Sequence, residues 1–545
     1  MKRIRTVPIH FNQIGFSSCG PKRAVFSGAN SNVTHFVLRD NLGRELFCGT
    51  LGKSQFWAAD GEASCAIDWT AFSEQGIFSL ELPECGVQIR VLMERAPWQN
   101  LALALLKAFY FQRASLELEP QWAGIYARKA GHLDQEVLIH ESAASSNRPA
   151  GSRISASKGW YDAGDYNKYV VNSGISVWTL LGIYEDFPDW SRTCSLDIPE
   201  SGGTLPDVLA EAKWNLDWML DMQDPADGGV YHKLTNQHFD PMRMPDQCQE
   251  PRFVVMKTTA ASLYFAASLA RAGRLWTEFD SFFAKRCLHQ AECAFSWAQQ
   301  NPHVLFQQPD EITTGLYADS LLEDKWSWAA IELWCSTGEL RYGDIAQRAR
   351  LNFYDVPSWS AVGTLGLATH ALRQKESQAS EKICALADLL LAQQQRNAFR
   401  VALLPENFIW GSNGVVANQG MVLLFAFQLT QEKRYLDGAV HQLDYLMGCN
   451  PLGMNFVTGQ GSHSPRHPHH RISQADTIES PVPGFLVGGP NVDRQDAHRC
   501  PPYPNLAPAC SYQDLAPAFA CNEIAINWNA PAAYLAAGLQ AIYSG

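Results

Sequence analysis

Excess positive charge, a long apolar run and paired cysteine motifs are all missing from this 545-residue chain. The formal net charge is −12. That balance argues against nucleic acid as a partner, since a phosphate backbone is bound by clustered Lys and Arg. It is mildly hospitable to a cationic substrate. No stretch reaches the roughly 18 uninterrupted apolar residues of a membrane span, so no membrane partner is expected. The opening MKRIRTVPIHFNQIGF is basic, but Pro8, His10, Asn12 and Gln13 interrupt any apolar run of leader length behind it. The 14 cysteines are scattered without a C-x-x-C pair, and Cys335 and Cys384 fall in helical patterns, where a thiol is a small buried apolar group. These absences lead to the expectation of a reduced, cytoplasmic protein. A Pro/Ser-rich linker and an appended binding module are lacking too. With 46% hydrophobic and 18% charged residues, the chain is globular rather than disordered.

What is present changes period along the chain. Val33–Leu38 is a β-branched and aromatic run ending at the turn-like Asp40–Gly43. Phe78, Leu80 and Leu82 alternate, and after a break at Pro83–Gly86 so do Val87, Ile89 and Val91. This is hairpin patterning, consistent with a small β-sandwich over residues 1–103. From about residue 104 the period is helical. Pro206 opens a stripe of Val208, Leu209, Ala212, Leu216, Met219 and Leu220, and others run through Ile383, Leu386 and Leu390 and through Leu436, Val440, Leu443 and Met447. The region 104–545 therefore reads as mainly α.

Two segments carry chemistry. Tyr512–Ala530, YQDLAPAFACNEIAINWNA, sets Glu523 among apolar residues between Phe519 and Trp528. A carboxyl there resists ionisation and serves as a general acid near neutral pH. A buried Glu paired with a distant Arg reads the same way. Gly159–Asn172, GWYDAGDYNKYVVN, holds Asp162 and Asp165 three residues apart in a Gly-containing turn, where an Asx-turn or helix cap is the plain alternative.

Together these segments resemble glycoside hydrolase family 9, the inverting cellulase family. Tyr512, Asp514, Phe519, Glu523, Ala525, Asn529 and Ala530 fit its C-terminal signature, and Asp162–Asp165 its DAGD motif. A third motif, NFVTGQGSHSPRHPHHR from Asn455 to Arg471, departs only at Asn455 and His463. The resemblance implies an (α/α)6 barrel preceded by an immunoglobulin-like β-sandwich. It implies Glu523 as acid, Asp165 as base and Asp162 as the aspartate that orients the water. An inverting pair stands roughly 6.5–9.5 Å apart to admit that water. His232, His469 and Arg471 would donate to sugar hydroxyls, Asn413 of WGSN would line the site, and Trp160, Trp328, Trp410 and Trp528 would stack on pyranose faces, although each Trp equally suits a core.

No cofactor or metal is expected, because His463, His467, His469 and His470 lack a zinc-like spacing and Cys or Asp partners. The expected partner is a β-1,4-linked oligosaccharide of glucosamine or glucose units. A cytoplasmic enzyme meets only short imported chains, which favours trimming from the non-reducing end, and the layout resembles intracellular exo-β-D-glucosaminidase and β-glucosidase members of the family. Exo-β-D-glucosaminidase therefore ranks first, β-glucosidase second and endo-1,4-β-glucanase third. A silent carbohydrate-binding protein would have no need of both acid and base. Oligomeric state is not legible.

Overall fold

The structure, a computed structural model, describes residues 8–27, 33–349 and 355–545. Met1–Val7, the basic start of the N-terminal stretch, lies outside the described residues. Between Ile9 and Glu94, nine described strands form two sheets. One runs in the order Ile9–Phe11, Arg23–Ser27, Glu62–Asp68, Gln55–Trp57. The other runs Phe16–Ser17, Val87–Glu94, Gly76–Leu82, His35–Arg39, Glu45–Thr50. The period of two is realised as read: Phe78 and Leu80 pair with Val91 and Ile89, and all four point into the sandwich core with Leu82.

This sandwich leans on the helical part. Val25, Trp57 and Ala59 belong to the helical core, and the Trp57 ring lies 5.7 Å from Phe399 and 6.0 Å from Phe408. Asn12 Nδ2 donates to buried Asp444 at 2.7 Å, and Gln13 N to the Met447 carbonyl at 3.0 Å. The first helix, Gln99–Phe111, begins before residue 104, so a division at 103/104 would cut it. Leu101, Leu103 and Leu105 alternate, which carries the strand-like period past the helix start.

Six described helices form an inner ring: Val170–Asp186, Thr259–Trp276, Glu323–Thr337, Gly363–Gln374, Ser412–Thr430 and Ile526–Ser544. Each packs on the next and the last on the first. Gln99–Phe111, Asp207–Asp221, Ser281–Gln300, Leu340–Ala349, Ser377–Gln394 and Lys433–Leu446 back them as an outer layer. This is the (α/α)6 barrel. Every residue from Val170 to Tyr184 is buried, as an inner helix enclosed on all sides requires. The outer helices keep one apolar stripe, and Ile383, Leu386 and Leu390 face inward as their spacing predicts. At the N-terminal end of Val170–Asp186, very short strands, among them Lys168–Tyr169, Lys233–Thr235 and Phe253–Val254, brace the long connections.

Candidate active site

Three distant segments are tied together by backbone at that end. Ala163 bridges Ala525, and Ile526 N donates to the Asp162 carbonyl at 2.9 Å. His469 bridges Glu523, with His469 N donating to the Asn522 carbonyl at 2.8 Å. Arg471 reaches the Gly164 carbonyl with both its backbone N (3.1 Å) and Nη1 (2.7 Å). The crossing is so close that a Cβ on Gly164 would sit 2.1 Å from the His469 carbonyl oxygen, so only glycine fits there. Asp162, Asp165, His469, Arg471 and Glu523 therefore share one site.

The two aspartates are held differently. Asp162 accepts from Asn172 Nδ2 at 2.8 Å on Oδ1 and from the Tyr317 hydroxyl at 2.7 Å on Oδ2. Asp165 is bonded by described residues only at Oδ2, from Asn167 Nδ2 (2.6 Å), Asn167 N (3.3 Å) and the Tyr169 hydroxyl (3.5 Å). Its Oδ1 is thus the atom left to a water. Burial, then the neighbouring Asp165 charge, lifts the Asp162 carboxyl above the usual range, against the donors Tyr317 and Asn172. Glu523 is held well above the carboxylate range by burial first and Asp165 second, with Arg471 opposing. A half-buried carboxyl pushed toward its acid form thus shares the site with an aspartate.

The polar residues of the rest of the C-terminal signature are scaffold. Asp514 accepts from the backbone N of Arg466 (2.7 Å) and His467 (2.9 Å), and Asn522 Nδ2 donates to it at 3.1 Å. The Tyr512 hydroxyl donates to Asn522. Asn529 accepts from Leu486 N at 2.8 Å and donates to the Leu105 carbonyl at 2.6 Å.

Several expected sugar-binding residues lie elsewhere. Trp160 and Trp328 are each 0% exposed, so neither presents a face to a pyranose. The Trp160 indole donates to buried Glu211 at 2.8 Å, and Trp328 packs edge-on against Trp178 and Tyr264. His232 is buried with both ring nitrogens engaged, at 3.1 Å to Thr258 Oγ1 and 3.0 Å to the Leu316 carbonyl, and it stacks on Phe306. Burial pulls its pKa down to about 3, which keeps the ring neutral. Asn413 is buried too, and its Nδ2 holds the Val487 carbonyl at 2.9 Å. These four shape the site from behind. Trp528 is half-buried against the backbone of Gly411 and Gly414.

Partly exposed instead is a row of rings beside Glu523. Trp410, 38% exposed, lies 5.2 Å from Phe519, whose ring lies 5.9 Å from His469. His469 Nδ1 bonds the Ala516 carbonyl at 2.6 Å, which fixes the proton on Nδ1, and burial holds the ring's pKa near 4. Arg471 is mostly buried, with Nε on the Asp240 carbonyl at 2.7 Å. Tyr317, Tyr169, Asn167 and Asn172 were not singled out from the sequence. Tyr169 and Asn172 follow the DAGD motif directly, whereas Tyr317 sits 155 residues from its partner in an aperiodic connection that carries no signal.

Among the described residues one set of candidate metal ligands converges: buried His132, Asp240 and Cys248, with ligand atoms within 4.8 Å of one another. Arg252, Lys168 and Arg128 face that His and oppose a divalent cation. It does not include the histidines near Arg471.

A Glu pushed toward its acid form beside an aspartate pair is the equipment of a glycosidase. The sequence model of glycosyl hydrolase family 9 matches residues 98–536, and that of the cellulase N-terminal Ig-like domain matches residues 5–87. The chain belongs to glycosyl hydrolase family 9 and is an inverting hydrolase of β-1,4 bonds. It is 39% identical to the xyloglucan-specific endo-beta-1,4-glucanase BoGH9A of Bacteroides ovatus, over 98% of this chain and 94% of that one. It is 30% identical to endoglucanase D of Acetivibrio thermocellus, over 97% of this chain and 83% of that one. A solved Bacteroides ovatus GH9 structure superposes with a TM-score of 0.92 at 38% identity, covering 98% of this chain and 99% of its own. The two named relatives are endoglucanases. They do not support the exo-glucosaminidase or β-glucosidase reading and favour the endo alternative.

Proposed function

We propose that this protein is an endo-acting β-1,4-glucanase that cleaves within β-glucan chains with inversion. Glu523 protonates the departing glycosidic oxygen as the C1–O bond breaks. Asp165 Oδ1 takes a proton from the water whose oxygen bonds C1 from the opposite face, and Asp162 orients that water. The observation that carries these roles is the asymmetry of the aspartates: Asp162 has both oxygens engaged, while Asp165 keeps one free of described partners. The Trp410–Phe519–His469 row supports a polymer lying past Glu523, and His469 Nε2 and Trp410 offer a hydroxyl acceptor and a stacking face.

The test is the viscosity of soluble xyloglucan and of a soluble cellulose derivative, followed against release of reducing ends. An endo enzyme drops viscosity steeply while few ends have formed. Release of single sugars with viscosity unchanged overturns the reading, and chitosan oligomers assayed in parallel report any role for glucosamine.

A further inference from the structure

We propose that Lys233 is a positioning residue of this site. Its buried ammonium supplies the positive charge facing Asp165, and it anchors the Gln308–Tyr317 connection that sets Tyr169 and Tyr317 on the two aspartates. The proposal rests on Asp165 acting as the base.

Lys233 is 0% exposed and lies opposite Tyr169 in an antiparallel strand pair. Its Nζ donates to Gln308 Oε1 (2.8 Å), Thr314 Oγ1 (3.0 Å) and the Gly315 carbonyl (2.7 Å). All three N–H bonds thus go to neutral acceptors, and the Tyr169 and Phe306 rings lie 5.6 and 5.4 Å away. No described carboxylate forms an ion pair with it. An interior cation without a bonded counter-charge is expensive. Burial accordingly pulls Lys233 down to about 7, and the charge acting against that is Asp165.

From the ammonium, a continuous chain of bonds reaches the base. Thr314 Oγ1 meets Thr235 Oγ1 at 2.6 Å, Thr235 Oγ1 donates to Asn167 Oδ1 at 3.0 Å, and Asn167 Nδ2 donates to Asp165 Oδ2. Gly315 presses on the same target. A Cβ there would lie 2.9 Å from the Tyr169 hydroxyl, which is the group that bonds Asp165. His232 holds the next carbonyl, at Leu316, and Tyr317 then reaches Asp162. That explains why the His232 and Lys233 pair is buried rather than exposed to sugar.

The charged and titratable groups that face Asp165 are Asp162 on its own loop, Tyr169 and Lys233 from the two strands, Asp240 from the following connection and Glu523 from the C-terminal segment. Arg471 acts on Glu523 and Asp240 and Arg252 on Asp240, while the charge of Lys233 is tied to Asp165 itself.

The experiment compares pH profiles of kcat/KM and thermal melts for Lys233→Met, Gln308→Glu and Thr314→Val. The substrate is whichever β-1,4-linked chain the wild type cleaves, so a failed endo reading does not touch this test. Lys233→Met should move the acid limb up by about one pH unit, so that the rate near pH 5 falls about tenfold more than the rate near pH 7. Gln308→Glu neutralises the ammonium in place from a half-exposed position and should shift the limb the same way, which keeps the test decisive should Lys233→Met not fold. Thr314→Val keeps the charge but loses the two bonds made at Thr314 Oγ1, to Lys233 Nζ and to Thr235 Oγ1, and should lower the melting temperature with the limb unmoved. Loss of activity by the same factor at every pH in Lys233→Met, or an unmoved limb in Gln308→Glu, would overturn the proposal.

Discussion

Removing one hydroxyl tests the wiring of the aspartate pair most directly. Tyr317→Phe keeps the ring, which is wedged edge-on against Tyr169 and Trp359 with centroids 4.7 and 5.2 Å away, so packing is preserved. What disappears is the 2.7 Å donation to Asp162 Oδ2. A hydrogen bond to a charged group is worth about 1.5–3 kcal/mol, which corresponds to about one to two pKa units on the acceptor. Asp162 is already lifted by burial and by Asp165, and Tyr317 is one of two donors pulling the other way. Without it, the protonated form of Asp162 gains by that factor, and a protonated Asp162 no longer competes as an acceptor for the water. The kcat measured near pH 6 should fall about 10- to 100-fold. The acid limb should move up by about one unit or more, and the melting temperature should change by only a few degrees. A pH profile that keeps its shape would refute the claim that Tyr317 works through the ionisation of Asp162.

Glu523→Gln should abolish cleavage of natural glucans while sparing aryl glycosides whose phenolate departs unprotonated, and equal loss on both substrates in a folded variant would remove Glu523 as the acid. Because the folded pKa of Glu523 is raised, the stability it contributes is complete below the usual Glu range and is lost as pH rises through the elevated value. The unionisable Gln should therefore melt higher than wild type near pH 7 and no higher near pH 4. Trp410→Ala should raise KM for polymer several-fold more than for a short aryl glycoside, read from steady-state kinetics, since it lies on the row past the acid. Asn12→Ala strips a buried donor from Asp444 and should cost about 1–3 kcal/mol, seen as a lower melting temperature with kcat retained at room temperature.

The fold class and the meeting of Asp162, Asp165 and Glu523 in one site were legible because each is written in a local pattern. Phe78, Leu80 and Leu82 alternate and land in one sheet, and the stripe behind Pro206 lands on one helix face. Glu523, Asp162 and Asp165 sit in motifs whose neighbours are themselves needed to position them. The aromatic walls were not legible, because a Trp reads identically whether it stacks on sugar or fills a core. Trp160 and Trp328 went to the core, and Trp410 stayed at the surface, by tertiary placement alone. His232 misleads for a related reason. Its polar ring looks like a sugar donor, yet Thr258 and the Leu316 carbonyl use both nitrogens. The start of the first helix at Gln99 was not legible because Leu101, Leu103 and Leu105 satisfy a period of two inside it.

The same placement explains why so much of the C-terminal signature never touches the reaction. Glu523 can act as an acid only if water is kept from it and if Asp165 stays close, and both conditions raise the energy of the folded state. Asp162, Asp165, Asp240 and Glu523 crowd one region, with Arg252, Arg471 and Lys233 as cations set against them. Such a cluster repels itself, so its geometry must be imposed from outside. Tyr512, Asp514, Asn522 and Asn529 do this by fixing backbone on either side of Glu523, while Gly164 permits the crossing that brings His469 and Arg471 alongside. Loosening any of these anchors should let the carboxyls separate, returning Glu523 toward ordinary acidity. The variants would then gain nothing in binding and lose the alkaline reach of the pH profile, a signature distinct from loss of Glu523 or Asp165 itself.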